Sequence, residues 1–253
     1  MKNIVITGAS GGIGAALAVQ ASRAGHRVAL AARREPELHE VAARAGNGAV
    51  VIPTDVTRRA DVERLRDRAI AALGRIDVWV NNAGQGITRP VLELSDEDLD
   101  VMMRINVKSA LYGMQAIVPH FIERGEGQIV NVSSFLSRVP FATYRSAYNA
   151  AKAALNALTA NARVDLARAH PGIHVTLVMP GVVTTDFQRN AAGGSPPLPP
   201  STPSQTPDEV AAAIMRVIEQ PVAEIYTNAQ QAAVALEYFK DVSAFEREAA
   251  ARR

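Results

Sequence analysis

The sequence predicts an α/β fold, a doubly wound parallel sheet with helices on both faces. Short runs that are apolar throughout, rather than alternating, recur from the amino terminus onward, and strands of that kind are buried on both sides. Longer Ala-rich amphipathic segments separate them, so strand and helix alternate as in βαβ units. A glycine-rich turn also joins the first strand directly to the first helix, the usual opening of a nucleotide-binding sheet.

Taken in order, the predicted strands are Asn3–Ile6, Arg27–Ala32, Ala49–Ile52, Asp77–Asn81, Gln128–Val132, His174–Val178 and Glu224–Thr227. Helical patterns fill the gaps at Ile13–Ala24, Glu35–Ala45, Arg58–Leu73, Asp96–Ile122, Ser146–His170 and Pro207–Glu219. No repeat of solenoid period appears. The low-complexity stretch from Gly193 to Pro200 is too close to the end to introduce a second domain, so residues 1–253 read as one domain. Residues 183–206 are expected to form a mobile substrate loop. Residues 229–253 are expected to form a helical extension, in which Val234, Tyr238, Phe239, Val242 and Phe245 make an apolar stripe that docks on the core or on a sister subunit, and the tail is also expected to close over the substrate.

Composition narrows the function. Of 253 residues, 48% are hydrophobic and 21% charged, as in an ordinary globular protein. With 27 basic against 25 acidic residues and no basic stripe interleaved with aromatics, nucleic acid is not an expected partner. The absence of cysteine excludes disulfides, thiolate metal sites and a cysteine nucleophile. The five histidines form no H-E-x-x-H or similar ligand motif, so no metal is expected. The amino terminus enters a strand at once and no apolar run approaches membrane-spanning length, so the expected location is the cytoplasm, with no membrane contact.

The candidate ligand-binding residues lie where the predicted strands end. After the first strand comes Thr7-Gly8-Ala9-Ser10-Gly11-Gly12-Ile13-Gly14, whose glycines let the backbone approach a phosphate while the helix amides attract its charge. The second strand ends at Ala32-Arg33-Arg34, with no acidic residue before Glu35 to hold the ribose hydroxyls of NAD. An arginine there suits a 2′-phosphate and favours NADP. Solvated arginines opening a surface helix are the competing reading, stronger for Arg34 than for Arg33. Asp55-Val56 follows the third strand; Asp55 can accept from an adenine amino group or cap the helix entered through Thr57. Asn81-Asn82-Ala83-Gly84 follows the fourth.

The chemistry is expected on the helix that opens at Ser146. Tyr148 and Lys152 lie one turn apart on one face. A cation about 4 Å from a phenol, at an effective dielectric near 20, is worth roughly 4 kcal/mol. That would draw a phenol from about 10 toward roughly 7, where it can give or take a proton at neutral pH. Taken alone, an ordinary tyrosine beside a solvated lysine explains the same spacing.

Together the motifs Thr7-Gly8-x-x-x-Gly12-Ile13-Gly14, Asp55-Val56, Asn81-Asn82-Ala83-Gly84, Asn106, Ser134, Tyr148-x-x-x-Lys152 and Pro180-Gly181-x-x-x-Thr185 resemble those of the short-chain dehydrogenase/reductase family, in order and spacing. The resemblance implies a Rossmann-like domain with seven parallel strands in the order 3-2-1-4-5-6-7. It also implies hydride exchange between NAD(P) and an alcohol/carbonyl pair. By that resemblance Tyr148 is the general acid or base, and Lys152 lowers its pKa and holds the nicotinamide ribose. Ser134 bonds the substrate oxygen, and Asn106 holds a water linking Lys152 to solvent. Gly8, Ser10, Gly12, Ile13, Gly14, Arg33, Asp55, Val56, Asn82, Ala83 and Gly84 would line the cofactor. Pro180, Gly181, Val183 and Thr185 would cover its nicotinamide. The family also implies a homodimer or homotetramer built through the helices following Asn106 and Ser146.

Some residues stay open. Ser133 and Ser137 compete with Ser134, which is preferred because it closes the strand motif Val130–Ser134. Tyr144 lacks a lysine partner and is read as a substrate-pocket residue. Arg138 and Arg145 are read as solvated. The expected substrate is a small-molecule carbonyl compound or alcohol, and the apolar residues and prolines of the loop permit lipids, steroids, polyketides or small ketones alike. Alternatives to an NADP(H)-dependent oxidoreductase are a non-catalytic NAD(P)-binding regulator, or an epimerase or lyase on the same fold.

Overall fold

The computed structural model describes residues 1–194 and 202–251. Part of the loop expected to be mobile, residues 195–201, lies outside the described residues.

The first half alternates as expected: β1 (Asn3–Thr7), α1 (Gly12–Arg23), β2 (Arg27–Ala32), α2 (Glu35–Ala45), β3 (Val50–Pro53), α3 (Arg59–Leu73) and β4 (Val78–Asn81). Then come α4 (Asp96–Met103), α5 (Ser109–Arg124), β5 (Gly127–Val132), α6 (Ser146–Ala169), β6 (Ile173–Met179), α7 (Pro207–Glu219) and β7 (Glu224–Tyr226). The chain ends in α8 (Ala229–Lys240) and α9 (Val242–Ala251). All seven strands join one parallel sheet in the order β3-β2-β1-β4-β5-β6-β7.

The side-chain period of two explains the layers. Within β1, Ile4 and Ile6 enter one apolar cluster with residues of α1, α2 and α7, while Val5 enters the opposite cluster with α3, α5 and α6. Each face therefore buries a full row of aliphatic side chains. A large one such as Leu17, Leu30, Leu65 or Ile76, fully enclosed, contributes roughly 1.5–3 kcal/mol.

Two predicted elements change. The helix expected over Asp96–Ile122 is broken by a π-helical segment at Arg104–Lys108, between α4 and α5. Neither Pro nor Gly marks the interruption; the local signal is Asn106, a poor helix former at its centre, where the sequence leads one to expect a local kink. The apolar stripe of the extension is divided between two helices, which meet where Asp241 takes an extended conformation. Tyr238 of α8 then packs edge-on against Phe245 of α9, with ring centroids 5.4 Å apart.

Candidate active site

The carboxyl ends of the strands open onto one cavity of about 1030 Å³, running from Asp55 after β3 to Val234 on α8. Open parallel sheets place their ligands at this edge.

At the β1 end, Gly8 takes φ +68° and Gly12 φ +54°, a region that disfavours side chains. A Cβ on Gly8 would come within 2.8 Å of Ala83 Cα, so only glycine lets the turn and the β4 loop meet. Thr7 ties the two together: its hydroxyl donates to the Val80 carbonyl (3.1 Å) and accepts from the amides of Asn82 (3.0 Å) and Ala83 (3.2 Å). The N-cap of α1 is Gly11, with no side chain to satisfy the first amides. Those amides can receive an anion, and Gly11, Gly12 and Ile13 line the cavity.

Gly14, expected among the cofactor ligands, is not on the cavity wall. It is buried, and a Cβ there would overlap the Gly8 carbonyl and lie 2.7 Å from Asn82 Nδ2. Its task is to let α1 pack against the turn.

Arg33 and Arg34 both line the cavity. Arg34, the residue given less weight in the sequence, lies across the glycine turn, where its Nη2 donates to Ser10 Oγ (3.1 Å) while Nη1 pairs with Glu37 (3.1 Å). Asp55 accepts from the Thr57 amide (3.0 Å) and hydroxyl (2.7 Å), which organises the turn before α3. Burial pushes its carboxyl pKa upward, but the Thr57 bonds and the nearby Arg33 and Arg58 outweigh this and hold it low.

Beyond β5 and along α6 lie the reactive groups. Ser134, Tyr148 and Lys152 are all buried and share the cavity wall. The Ser134 hydroxyl accepts from the Leu136 amide (3.2 Å) and bears on the Tyr148 phenol, and Lys152 Nζ is 5.8 Å from the Tyr148 ring centroid. The Lys152 ammonium donates to the Val132 carbonyl at 2.9 Å. Phe187 closes over Tyr148 edge-on, at 5.4 Å between ring centroids.

The expected acidification of Tyr148 is not what this geometry gives. Burial pushes its phenol up to about 12, against smaller lowering contributions from the Ser134 hydroxyl and Arg145. Burial also lowers Lys152 to about 8. The spacing brings the two residues to one face, but the same enclosure disfavours both charges. At neutral pH the phenol carries its proton and Lys152 remains mainly cationic.

The competing serines are engaged elsewhere. Ser133 Oγ donates to Asn156 Oδ1 (2.6 Å), and Asn156 Nδ2 donates to Ser137 Oγ (2.7 Å). Ser137 in turn donates to the Ser134 carbonyl. These residues brace the turn behind Ser134.

Asn106 sits in the π segment, 1% exposed, and is not on the cavity wall. It accepts from the Gln85 amide (3.2 Å) and donates to the carbonyls of Gln85 (3.0 Å) and Met102 (3.1 Å). A Cβ on Gly84 would lie 2.9 Å from Asn106 Oδ1 and 3.4 Å from Lys152 Nζ, so the loop passes between the two side chains.

The remaining residues named from the sequence, Gly8, Ser10, Asp55, Val56, Asn82, Ala83, Gly84, Pro180, Gly181, Val183 and Thr185, all line the cavity, as does Tyr144. Arg145 corrects its expectation: it is 3% exposed, donates to the Ile87 carbonyl (3.2 Å) and the Gln188 side chain, and faces the cavity. No local signal reveals this, because loops far apart in the chain enclose it. Gln231 and Val234 of α8 were likewise not singled out as site residues, although docking of the extension was expected.

Comparison with known proteins agrees with this architecture. The family model described as short chain dehydrogenase matches residues 2–194. The chain belongs to the short chain dehydrogenase family of oxidoreductases. An uncharacterized oxidoreductase from Staphylococcus epidermidis is 35% identical over 184 residues, covering 73% of this chain and 79% of that one. An alcohol dehydrogenase from the archaeon Thermococcus sibiricus, solved with 5-hydroxy-NADP, is 29% identical with TM-score 0.77, covering 89% and 95% of the two chains. A short chain dehydrogenase/reductase from Burkholderia phymatum, solved with NAD, superposes with TM-score 0.86 over 96% and 94%, and at 24% identity speaks for the fold alone.

Proposed function

We propose that this chain is an NADP(H)-dependent oxidoreductase that interconverts a small carbonyl compound and its alcohol. The observation that carries the reading is the juxtaposition of Ser134, Tyr148 and Lys152 on the wall of the cavity that begins at the glycine turn. The residues present fit a nicotinamide dinucleotide. Gly8 and Gly12 form a cradle without side chains, the uncapped amides of α1 suit the diphosphate, and Asp55 stands at the far end for the adenosine. Bound there, the cofactor would supply or accept the hydride.

The chain's own residues would handle the proton. In reduction the substrate oxygen is held by the Ser134 hydroxyl and receives the Tyr148 proton, which that phenol retains at neutral pH. Lys152 places positive charge beside the phenol and stabilises the tyrosinate that remains. In oxidation the same phenol must first be deprotonated. Asn106 fixes the Gly84–Gln85 loop that the cofactor would touch, and is a positioning residue.

Arg33 and Arg34, with no acidic residue at the end of β2, support NADP over NAD. The exposed stripe of Ala153, Ala157, Ala160 and Val164 on α6 suits close helix packing in a homodimer or homotetramer. We place the protein in the cytoplasm.

The deciding experiment is Tyr148→Phe, assayed by loss of NADPH absorbance with a panel of ketones and aldehydes. Turnover should fall by at least about a thousand-fold, as for a group acting in the transition state, while the NADPH dissociation constant changes less than about three-fold. Retained turnover rejects the assignment. NADPH binding without turnover on any panel member by the unaltered protein favours the regulator. Isomerised product without net cofactor change favours the epimerase.

A further inference from the structure

The helical extension brings one polar side chain onto the active-site edge of the sheet. Gln231, on α8, packs its amide so closely over Gly181 that a Cβ at Gly181 would overlap it. Gly181 lies two residues beyond the end of β6, after Pro180, and both residues share the cavity wall with Ser134, Tyr148 and Lys152.

Gln231 is held there by several contacts. Thr227 is fixed by Gln205, whose side chain donates to the Thr227 carbonyl (3.1 Å) and accepts from its hydroxyl (2.6 Å). The Asn228 side chain caps α8 by accepting from the Gln230 amide (3.0 Å). Ala235, one turn beyond Gln231, is buried against Phe135 and Val139 in the segment that follows Ser134. The helix therefore rests on the loops leaving β5 and β6, the two that flank the reacting groups.

The Gln231 amide is also incompletely satisfied. Its Oε1 is buried and has no hydrogen-bond partner among the described residues. Such an oxygen is disfavoured until it meets a donor. A ketone or aldehyde brings no donor, and the reacting oxygen of a substrate belongs to Ser134 and Tyr148. A primary carboxamide offers what a glutamine amide complements, N–H groups for Oε1 and an oxygen for Nε2.

We propose that Gln231 reads the nicotinamide cofactor, its side-chain amide turning to exchange hydrogen bonds with the cofactor's carboxamide above Gly181. This rests on reading the cavity as a nicotinamide dinucleotide site. It gives the extension a part in cofactor recognition, and it explains why the residue beneath Gln231 has no side chain.

The test is calorimetric binding of NADP+ and of its 3-acetylpyridine analogue, in which a methyl ketone replaces the carboxamide. Gln231→Leu should weaken NADP+ roughly ten-fold, which is about 1.4 kcal/mol. The same substitution should weaken the analogue only about three-fold, because its ketone oxygen still accepts from Nε2 while the N–H donors to Oε1 are already gone. Gln231→Ala should behave likewise, guarding against a packing effect peculiar to leucine. Equal losses for both ligands, or no loss for either, overturn the proposal. A raised KM for a carbonyl substrate with unchanged dinucleotide affinity makes Gln231 a substrate contact and overturns it as well. If the unaltered protein binds neither dinucleotide, the cofactor site itself is wrong.

Discussion

Lys152→Met should make the protein more stable while removing its activity. Burial lowers the Lys152 pKa from 10.5 to about 8, a difference worth roughly 3 kcal/mol of destabilisation while the lysine is charged in both states. Methionine removes that cost but also removes the 2.9 Å bond to the Val132 carbonyl, worth about 1–2 kcal/mol. The net gain near pH 7 is about 1–2 kcal/mol, or a Tm raised by about 3–6 °C in a chain of this size. The pH dependence isolates the charge. Between pH 8 and 10.5 the unfolded lysine holds a proton that the folded one lacks, so the stability of the unaltered protein rises with pH. The variant has no such rise, and its advantage should shrink by most of 3 kcal/mol between pH 7 and pH 10. Folded Tyr148, pushed up to about 12, keeps its proton throughout this range in both proteins, so phenol titration should largely cancel in the comparison. Urea denaturation of both proteins at several pH values, without added dinucleotide, measures the gap. A gap that does not change with pH would refute the burial argument.

Other substitutions probe the cavity walls. Gly14→Ala should destabilise the fold by about 2–4 kcal/mol in urea denaturation, because its Cβ would overlap the Gly8 carbonyl, and should weaken dinucleotide binding with it. Replacing both Arg33 and Arg34 by alanine should raise KM for NADPH roughly ten-fold or more while changing that for NADH little; equal effects on the two cofactors would mean that neither arginine meets the 2′-phosphate.

Much of the fold was legible because local signals and tertiary demands agree. Helix α7 begins at Pro207 behind a capping box of Thr206 and Glu209, and β2 is an unbroken apolar run; both match their predicted bounds. The cavity wall was readable where glycines bring the backbone itself to the cavity surface, as at Gly8, Gly84 and Gly181. What escaped depends on enclosure. The spacing of Tyr148 and Lys152 shows that they are neighbours, but the proton affinity of each depends on how completely the surroundings exclude water, including Phe187, which comes from another part of the chain. Arg145 looked like a surface cation because nothing nearby in sequence indicates that Ile87 and Gln188 will close around it. Likewise, Gln231 could be placed on a docking helix without showing that it would reach Gly181.

The π segment at Arg104–Lys108 has a consequence for how this helix can change by insertion or deletion. Consecutive α-helical residues are rotated by about 100°, and a π turn accommodates one residue more than an α turn. Because the π turn already absorbs its extra residue, removing one from Arg104–Lys108 would leave a regular helix with its two halves still in phase, whereas removing one from α5 would turn everything beyond it by about that angle. Met102 and the Met114–Ile117–Phe121 row would keep to their clusters, and the loss would fall on Asn106, whose side chain would leave the Gln85 backbone. A one-residue gap at this point would therefore spare the core and undo the anchoring of the Gly84–Gln85 loop, although no side chain of the reacting trio is touched.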